Sequence, residues 1–446
     1  MAQWRTDSHQ FKQPHNVTLF ETVMLADQYG NMVGSANPTG MAVDAFGRAR
    51  MSTPLTLFDS SHRYKDNNLW STSNTAGTTY AHSVNEGLVA LNLPTTANAE
   101  IIRETTKVCS YQPGKSLFVL NTFVAAPPKA NLRQRIGYYG AQNGIYFEID
   151  GTTAYFVERS YTTGALVETR VAQADWNIDN LLGAAANLPG QVGPCPSNIT
   201  LDLTKAQIMF MDIEWLGLGT VRCGFVIDGK LIHCHSFHHA NLITSTYITT
   251  ASLPLRYEIK NTGTTASNSS LKQVCSTVIS EGGYELRGLQ QAATVPITAP
   301  IDLPTAGTYY NIISMRLKAS PNKLDAIVIL TALSILGITN NVNYNWQVRA
   351  SGTSAGNTWV DAGVDSAVEY KIGGGEYTGG RILASGYMSG SNQGSASVDI
   401  LKEALFKFQL ERNGLTNVPF ELSLVASAST NGGDIFGSMD WEEISR

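Results

Sequence analysis

The sequence is short of most features that announce an activity. No uninterrupted apolar run reaches the ~18 residues of a membrane helix, and the opening residues, MAQWRTDSHQFKQPHNVTLF, lack the apolar stretch of a secretory leader. The expectation is a chain without a membrane span and without export by the general route. Lys and Arg never form a block. With 31 of them against 36 Asp and Glu, the net charge of −5 leaves no field to hold a polyanion, so nucleic acid is not an expected partner. Cysteine is scarce: the five, Cys109, Cys195, Cys223, Cys234 and Cys275, are odd in number and far apart except for Cys223 and Cys234. That pattern suits reduced, small core residues of a chain made in a reducing compartment, not a disulfide framework.

Local catalytic signatures are missing as well. There is no G-x-S-x-G, and no Ser or Cys is set beside a His in a recognisable pattern. Pro113 to Ser116 reads PGKS, like the end of a phosphate loop, but Cys109 stands where that loop needs Gly, and the following SLFVLNTF alternates as a strand. Paired acids, Asp212 with Glu214 and Glu442 with Glu443, read as a solvated strand face and an exposed chain end.

What the chain has in quantity is turns. Forty Gly, with Ser, Thr, Asn and Ala crowding the spaces between short apolar runs, suit an all-β protein. At 446 residues the chain exceeds one core. The expected organisation is an extended N-terminal arm over residues 1–75, then two antiparallel β-sandwich, jelly-roll-like domains over 76–290 and 291–446. The arm carries Trp4, Phe11, Phe20, Phe46, Phe58 and Tyr64 without a sustained period, so these residues are expected to be buried against other subunits. LVALNL, SLFVLNTFVAA, GIYFEI, TAYFVERS and ALVETRVA follow one another with turns at Asn143-Gly144 and Asp150-Gly151, an antiparallel meander. A Gly/Pro-rich loop runs from Gly183 to Pro196, and Pro296, Pro300 and Pro304 mark the domain boundary. Leu401 to Phe406 allows a short helical turn.

The most patterned stretch is Leu201 to His239. Met209, Met211, Ile213 and Trp215 share one face of a strand, and a second strand leads through Val221, Cys223, Phe225 and Ile227 to Asp228-Gly229, the pair a type I′ hairpin prefers. Counting outward from that turn sets Phe225 against Ile232, Gly224 against His233, Cys223 against Cys234 and Arg222 against His235. His233 and His235 then project from one face, the H-x-H spacing by which cupin-type jelly rolls hold a metal, but the Glu such a site wants a few residues on is absent. With Arg222 across from His235, a bound dication is disfavoured. The expectation is a hydrogen-bonding surface, a subunit contact without metal or other cofactor.

The segments PTGMAVDAFGRARMSTPLTLFDS, YQPGKSLFVLNTF, LDLTKAQIMFMDIEWLGLGTVRCGFVIDGK, LPLRYEIKNTG and CSTVISEGGYE resemble a group of tailed-bacteriophage virion structural proteins, common in phages of marine bacteria and cyanobacteria. The resemblance runs from about Gly40 to Tyr284 and is weaker beyond Pro296, through ISMRLK, WV, VEY, GG and SGY. It implies a virion part assembled in the host bacterial cytoplasm, without an assigned catalytic residue. Its expected partners are other virion proteins, further copies of the chain and a host surface receptor. Tail, neck or baseplate is the expected place, with a capsid decoration protein as the alternative. An enzyme of the metal-dependent cupin-like or glycan-cleaving tail type is the reading from a different class.

Overall fold

The computed structural model describes residues 53–183, 195–390, 396–398 and 408–445. Among them the helical content is one 3-10 turn, Gln173–Asp175, and all other regular structure is β. Trp4, Phe11, Phe20 and Phe46, the turn at Leu401–Phe406 and most of the Gly183–Pro196 loop lie outside the described residues.

The first sandwich is built in chain order from β1 (Pro54–Ser61), β2 (Trp70–Asn74), β3 (Thr79–Ser83), β4 (Leu88–Leu93), β5 (Glu100–Thr105), β6 (Ser116–Val124), β7 (Leu132–Tyr139), β8 (Gly144–Asp150), β9 (Thr153–Ser160), β10 (Val167–Ala172), β11 (Ala206–Ile213), β12 (Val221–Ile227), β13 (Lys230–Phe237), β14 (Leu255–Asn261) and β15 (Ser269–Glu281). An eight-stranded sheet runs β13-β12-β11-β6-β15-β4-β3, with β1 also paired to β15, and faces a seven-stranded sheet of order β10-β9-β8-β7-β14-β5-β2. Period-two alternation makes this possible: β6 is buried at every second residue, and its inward Leu117, Val119 and Phe123 meet Phe147 and Phe156 of the opposite sheet in one core.

The second sandwich comprises β16 (Leu289–Thr294), β17 (Ile301–Leu303), β18 (Tyr310–Leu317), β19 (Ile327–Gly337), β20 (Asn343–Ser354), β21 (Val360–Asp361), β22 (Val368–Ile372), β23 (Tyr377–Ser389), β24 (Ala396–Val398), β25 (Arg412–Asn413), β26 (Val418–Pro419), β27 (Glu421–Ala428) and β28 (Gly433–Ser445). A five-stranded sheet, β16-β28-β19-β24 with β17 on β28, packs on a six-stranded sheet, β21-β22-β18-β27-β20-β23. Trp346, Met315 and Trp441 fill the core between them. The all-β, two-sandwich architecture is the one the hairpin signals describe.

Three expectations are corrected. The compact unit begins at Pro54, so the last third of the expected arm is sandwich: β1 pairs with β15 and β2 with β5. Phe58 is accordingly only 6% exposed, with its ring edge-on to Trp70 at 6.0 Å, and is a core residue of its own chain. Its period-two neighbours were too few to read as a strand, because β1 leans on a partner over two hundred residues away. Tyr64, by contrast, is 80% exposed beneath the Arg63 guanidinium. The boundary also moves. Glu281 ends the first sandwich, β16 already belongs to the second, and Pro296, Pro300 and Pro304 flank β17 inside it. Finally, Glu442 and Glu443 are buried at 3% and 1%. They lie on β28, paired on both sides, where Glu443 accepts from Ser366, the Ala367 N–H and the Trp441 indole, and Glu442 from Gly288 and Gln290.

Candidate functional site

The hairpin turn forms as expected. Asp228 and Gly229 both have positive φ, and Ile227 pairs with Lys230, Phe225 with Ile232 and Gly224 with His233. Beyond Gly224 the register slips by one, so Cys223 meets His235 and Arg222 meets Ser236, with Cys234 as the extra residue of a bulge. The slip occurs beside Gly224, where a Cβ would strike the Ile232 carbonyl and the Phe210 ring. It separates the two histidines. His233 stays opposite Gly224, half-buried, with Nε2 at 2.9 Å from Ser236 Oγ, whereas His235 joins Cys223's side and is buried against Phe237. The shared histidine face is therefore corrected: a period-two count holds only while no residue is inserted.

The bulged strand is the edge of its sheet, and a segment of the chain closes it. The Asn177 side chain accepts from Ser236 N–H and donates to Ser236 O, both at 2.9 Å, while the N–H groups of Ile178 and Asp179 donate to Cys234 O at 3.0 Å. Asn177 N–H also donates to His235 Nδ1 at 3.3 Å. Burial, then the neighbouring His233 and His238, lower the His235 pKa to about 4, and His233 is lowered too, first by burial. Both rings are neutral acceptors or donors at pH 7.

His239 behaves oppositely. Its ring stacks on Tyr247 at 4.0 Å, Nδ1–H donates to the Gly219 carbonyl, and Nε2 lies 2.7 Å from Glu158 Oε2. Burial disfavours the cation, but the Glu158 hydrogen bond and charge, with the Gly219 carbonyl, outweigh it and raise the pKa. Two acceptors on one imidazole fix it as an imidazolium clip between the sheets. Among the described residues no group of three or more His, Cys, Asp or Glu is arranged to hold a metal ion.

An extended polar constellation covers the outer face of the seven-stranded sheet. Register places Tyr155, Glu148, Arg135 and Glu258 in one cross-strand row, Asp150, Arg133 and Lys260 in the next, and Val157, Tyr146, Gly137, Arg256 and Glu104 in a third. Arg159 binds Glu168 at 2.7 Å, Arg133 binds Glu258 at 3.0 Å, Arg170 binds Asp150 at 2.8 Å, and both Arg135 and Arg170 close on Glu148. Tyr139 and Tyr146 stack at 4.4 Å beneath the guanidinium groups of Arg159, Arg135 and Arg256. Gly137 and Gly144 make room, since a Cβ at either would strike the backbone or side chain of Tyr146 or Tyr139. Burial works against the charge on Glu258 and Glu168, yet Arg256, Arg135 and Arg133 lower the first, and Arg135, Tyr146 and Arg159 lower the second. These carboxylates are held as anions.

The same lattice reaches the second sandwich through Arg412. Its Nη1 binds Glu104 Oε1 at 3.0 Å and donates to Thr105 O at 2.8 Å, while Nη2 binds Asp325 at 2.9 Å. Burial outweighs Arg412 and Arg256 and raises the Glu104 pKa. Gln409 donates to Val108 O, Arg412 N–H to Thr106 O, and Val108 packs with Ile327 and Ile329. Gly414 rests on the pair, where a Cβ would meet Glu104 Oε1. None of these partners was singled out from sequence. The available signal was charge at period two in LRQRIGYY, FEID, VETR and LRYEIK.

Fold and site together define a β-sandwich protein whose polar face is internally neutralised. No protein-family model and no curated protein matches the sequence. Among solved structures, it is similar to a protein of unknown function from Shewanella oneidensis MR-1 (13% identity, TM-score 0.32, covering 52% of this chain and 90% of that one). It is likewise similar to a carbohydrate esterase of the Shiga toxin-encoding bacteriophage phi24B (10%, 0.30, 51% and 100%) and to the CBM2 module of an evolved Dit of Lactobacillus casei BL23 phage J-1 (7%, 0.32, 53% and 100%). Phage-derived proteins thus stand among the structural neighbours, at scores that speak for neither a shared site nor a shared activity. No helix among the described residues is long and apolar enough to cross a membrane.

Proposed function

We propose that the chain is a non-enzymatic structural component of a bacteriophage virion, assembled in the host cytoplasm and placed at the tail, neck or baseplate, with a capsid decoration protein as the alternative position. The observation that carries this reading is the closed Arg–Glu lattice continuing through Arg412 into the second sandwich. Such a lattice fixes two domains as one stiff body, a property that serves assembly. Glycan cleavage by paired acids needs a carboxylic acid kept protonated as general acid; Glu168 and Glu258 are shifted the other way, and Glu104, which burial shifts up, is closed off in its ion pair with Arg412. The sequence resemblance to virion structural proteins supports the same class. Residues 1–53 serve as the anchor, contacting other virion proteins or further copies of the chain.

A chain beginning at Pro54, produced during infection in place of the full one, should be folded yet missing from purified particles; normal incorporation would refute the anchor. Full-length protein mixed with host surface polysaccharide should liberate no reducing ends. Their release, abolished by Glu168→Gln or Glu258→Gln, would return the glycan-cleaving enzyme.

A further inference from the structure

The outer face of the six-stranded sheet in the second sandwich carries a second polar constellation, of different character. Asn345, Gln347 and Arg349 alternate outward along β20, and register places Tyr387 across from Asn345 and Ser385 across from Gln347 on the edge strand β23. A chain of hydrogen bonds orders them. Tyr309 donates to Asn345 Oδ1, Gln347 Nε2 donates to Tyr309 Oη at 2.8 Å, and Arg349 Nε donates to Gln347 Oε1 at 2.7 Å. The Arg349 guanidinium lies 4.3 Å over the Tyr309 ring and 5.8 Å from that of Tyr377. Tyr387 stands at the end of this row 84% exposed.

Two facts single this face out. A tyrosine ring left in water beside amides already fixed in place presents a flat apolar surface rimmed by oriented polar groups. And Arg349 has no carboxylate partner among the described residues, although its neighbours do: Lys371 is paired with Glu421, Arg316 with Glu369 and Arg381 with Glu411. Arg349's bonds use Nε and Nη1, to Gln347 and the Gly379 carbonyl. Among the described residues the face therefore holds a pre-oriented cation, Arg349, without a carboxylate partner. Four residues of β20, about 13 Å at ~3.3 Å each, separate Arg349 from the Tyr387 row.

We propose that this face binds an acidic oligosaccharide: a sugar ring stacks its C–H face on Tyr387, its hydroxyls meet Asn345 and Ser385, which the buried Gln347 helps to order from beneath, and a carboxylate further along pairs with Arg349. The chemistry fits each group in turn. Sugar hydroxyls match the Asn345 amide nitrogen, which gives one hydrogen bond to the Gly386 carbonyl, and the exposed Ser385 hydroxyl, and a carboxylate supplies the counter-charge that Arg349 lacks. The inference goes beyond the structural role, and particle incorporation, read separately, is unaffected by its failure.

The test is an array carrying uronate- and sialate-bearing oligosaccharides beside their neutral counterparts, probed with full-length protein and with Tyr387→Ala and Arg349→Gln. Acidic glycans should be retained by the wild type. Tyr387→Ala should lower affinity at least tenfold with unchanged thermal unfolding, and Arg349→Gln should erase the preference for the acidic over the neutral member of each pair. Retention of no acidic glycan overturns the proposal, as does retention that neither substitution alters. In purified particles, Tyr387→Ala should be incorporated normally.

Discussion

Two histidines four positions apart in sequence respond to acid in opposite directions. His239 has a pKa raised above its usual 6.5 by Glu158, so its contribution to stability is complete below 6.5 and is lost as pH rises through the raised value. His235 and His62 are each lowered to about 4, first by burial, so their contributions are present above 6.5 and drain away as pH falls from 6.5 towards 4. Denaturant unfolding as a function of pH should show the acid loss diminished in His235→Asn and the alkaline loss diminished in His239→Gln; unchanged profiles would falsify these assignments. The cysteines give a second residue-scale test. All five are free, four are buried, and burial pushes Cys109 up to about 12. A thiol reagent should titrate Cys275 alone in the native protein and all five after denaturation without reductant. The reading of all five as small core residues fits Cys109, Cys195, Cys223 and Cys234 but not Cys275, which β15 leaves exposed. The His239–Glu158 clip was not legible, because nothing local links residues 81 positions apart.

At the scale of elements, the bulge in β13 is supported from outside its sheet. Asn177 satisfies both backbone polar groups of the buried Ser236 on the covered edge, so Asn177→Ala should destabilise the fold by about 1–3 kcal/mol, the cost of stranding buried partners. Hydrogen exchange should quicken at Ser236 before the rest of β13, and protection unchanged there would remove Asn177 from this role. Strands and turns were readable because alternation and Asn-Gly or Asp-Gly pairs are local signals, as β8, β9 and the Asp228-Gly229 turn show. The bulge was invisible, since the turn residues set the register only as far as Gly224 and nothing in the local sequence marks Cys234 as the extra residue. β1 escaped for a related reason: it makes sense only against β15.

At the scale of the molecule, Arg412 is one of the residues that join the sandwiches, beside Gln409 on the Val108 carbonyl and the Val108–Ile327–Ile329 contact. Arg412→Met leaves Glu104 buried without its strongest partner and should cost about 3–5 kcal/mol, the range for breaking a buried pair from one side. Adding Glu104→Gln should recover most of that loss, because the penalty comes from the stranded carboxylate; strictly additive losses would contradict the pairing. The central claim is that this rigid, self-neutralised body is a building part of a phage particle. Its most direct test is a reconstruction by cryo-electron microscopy of purified particles from the phage that encodes the chain. The account predicts density for both sandwiches, in one fixed relative arrangement and in symmetric copies, with residues 1–53 seated against a neighbouring subunit. Particles complete and infectious without the chain, or carrying it with the two sandwiches in unrelated orientations, would contradict it.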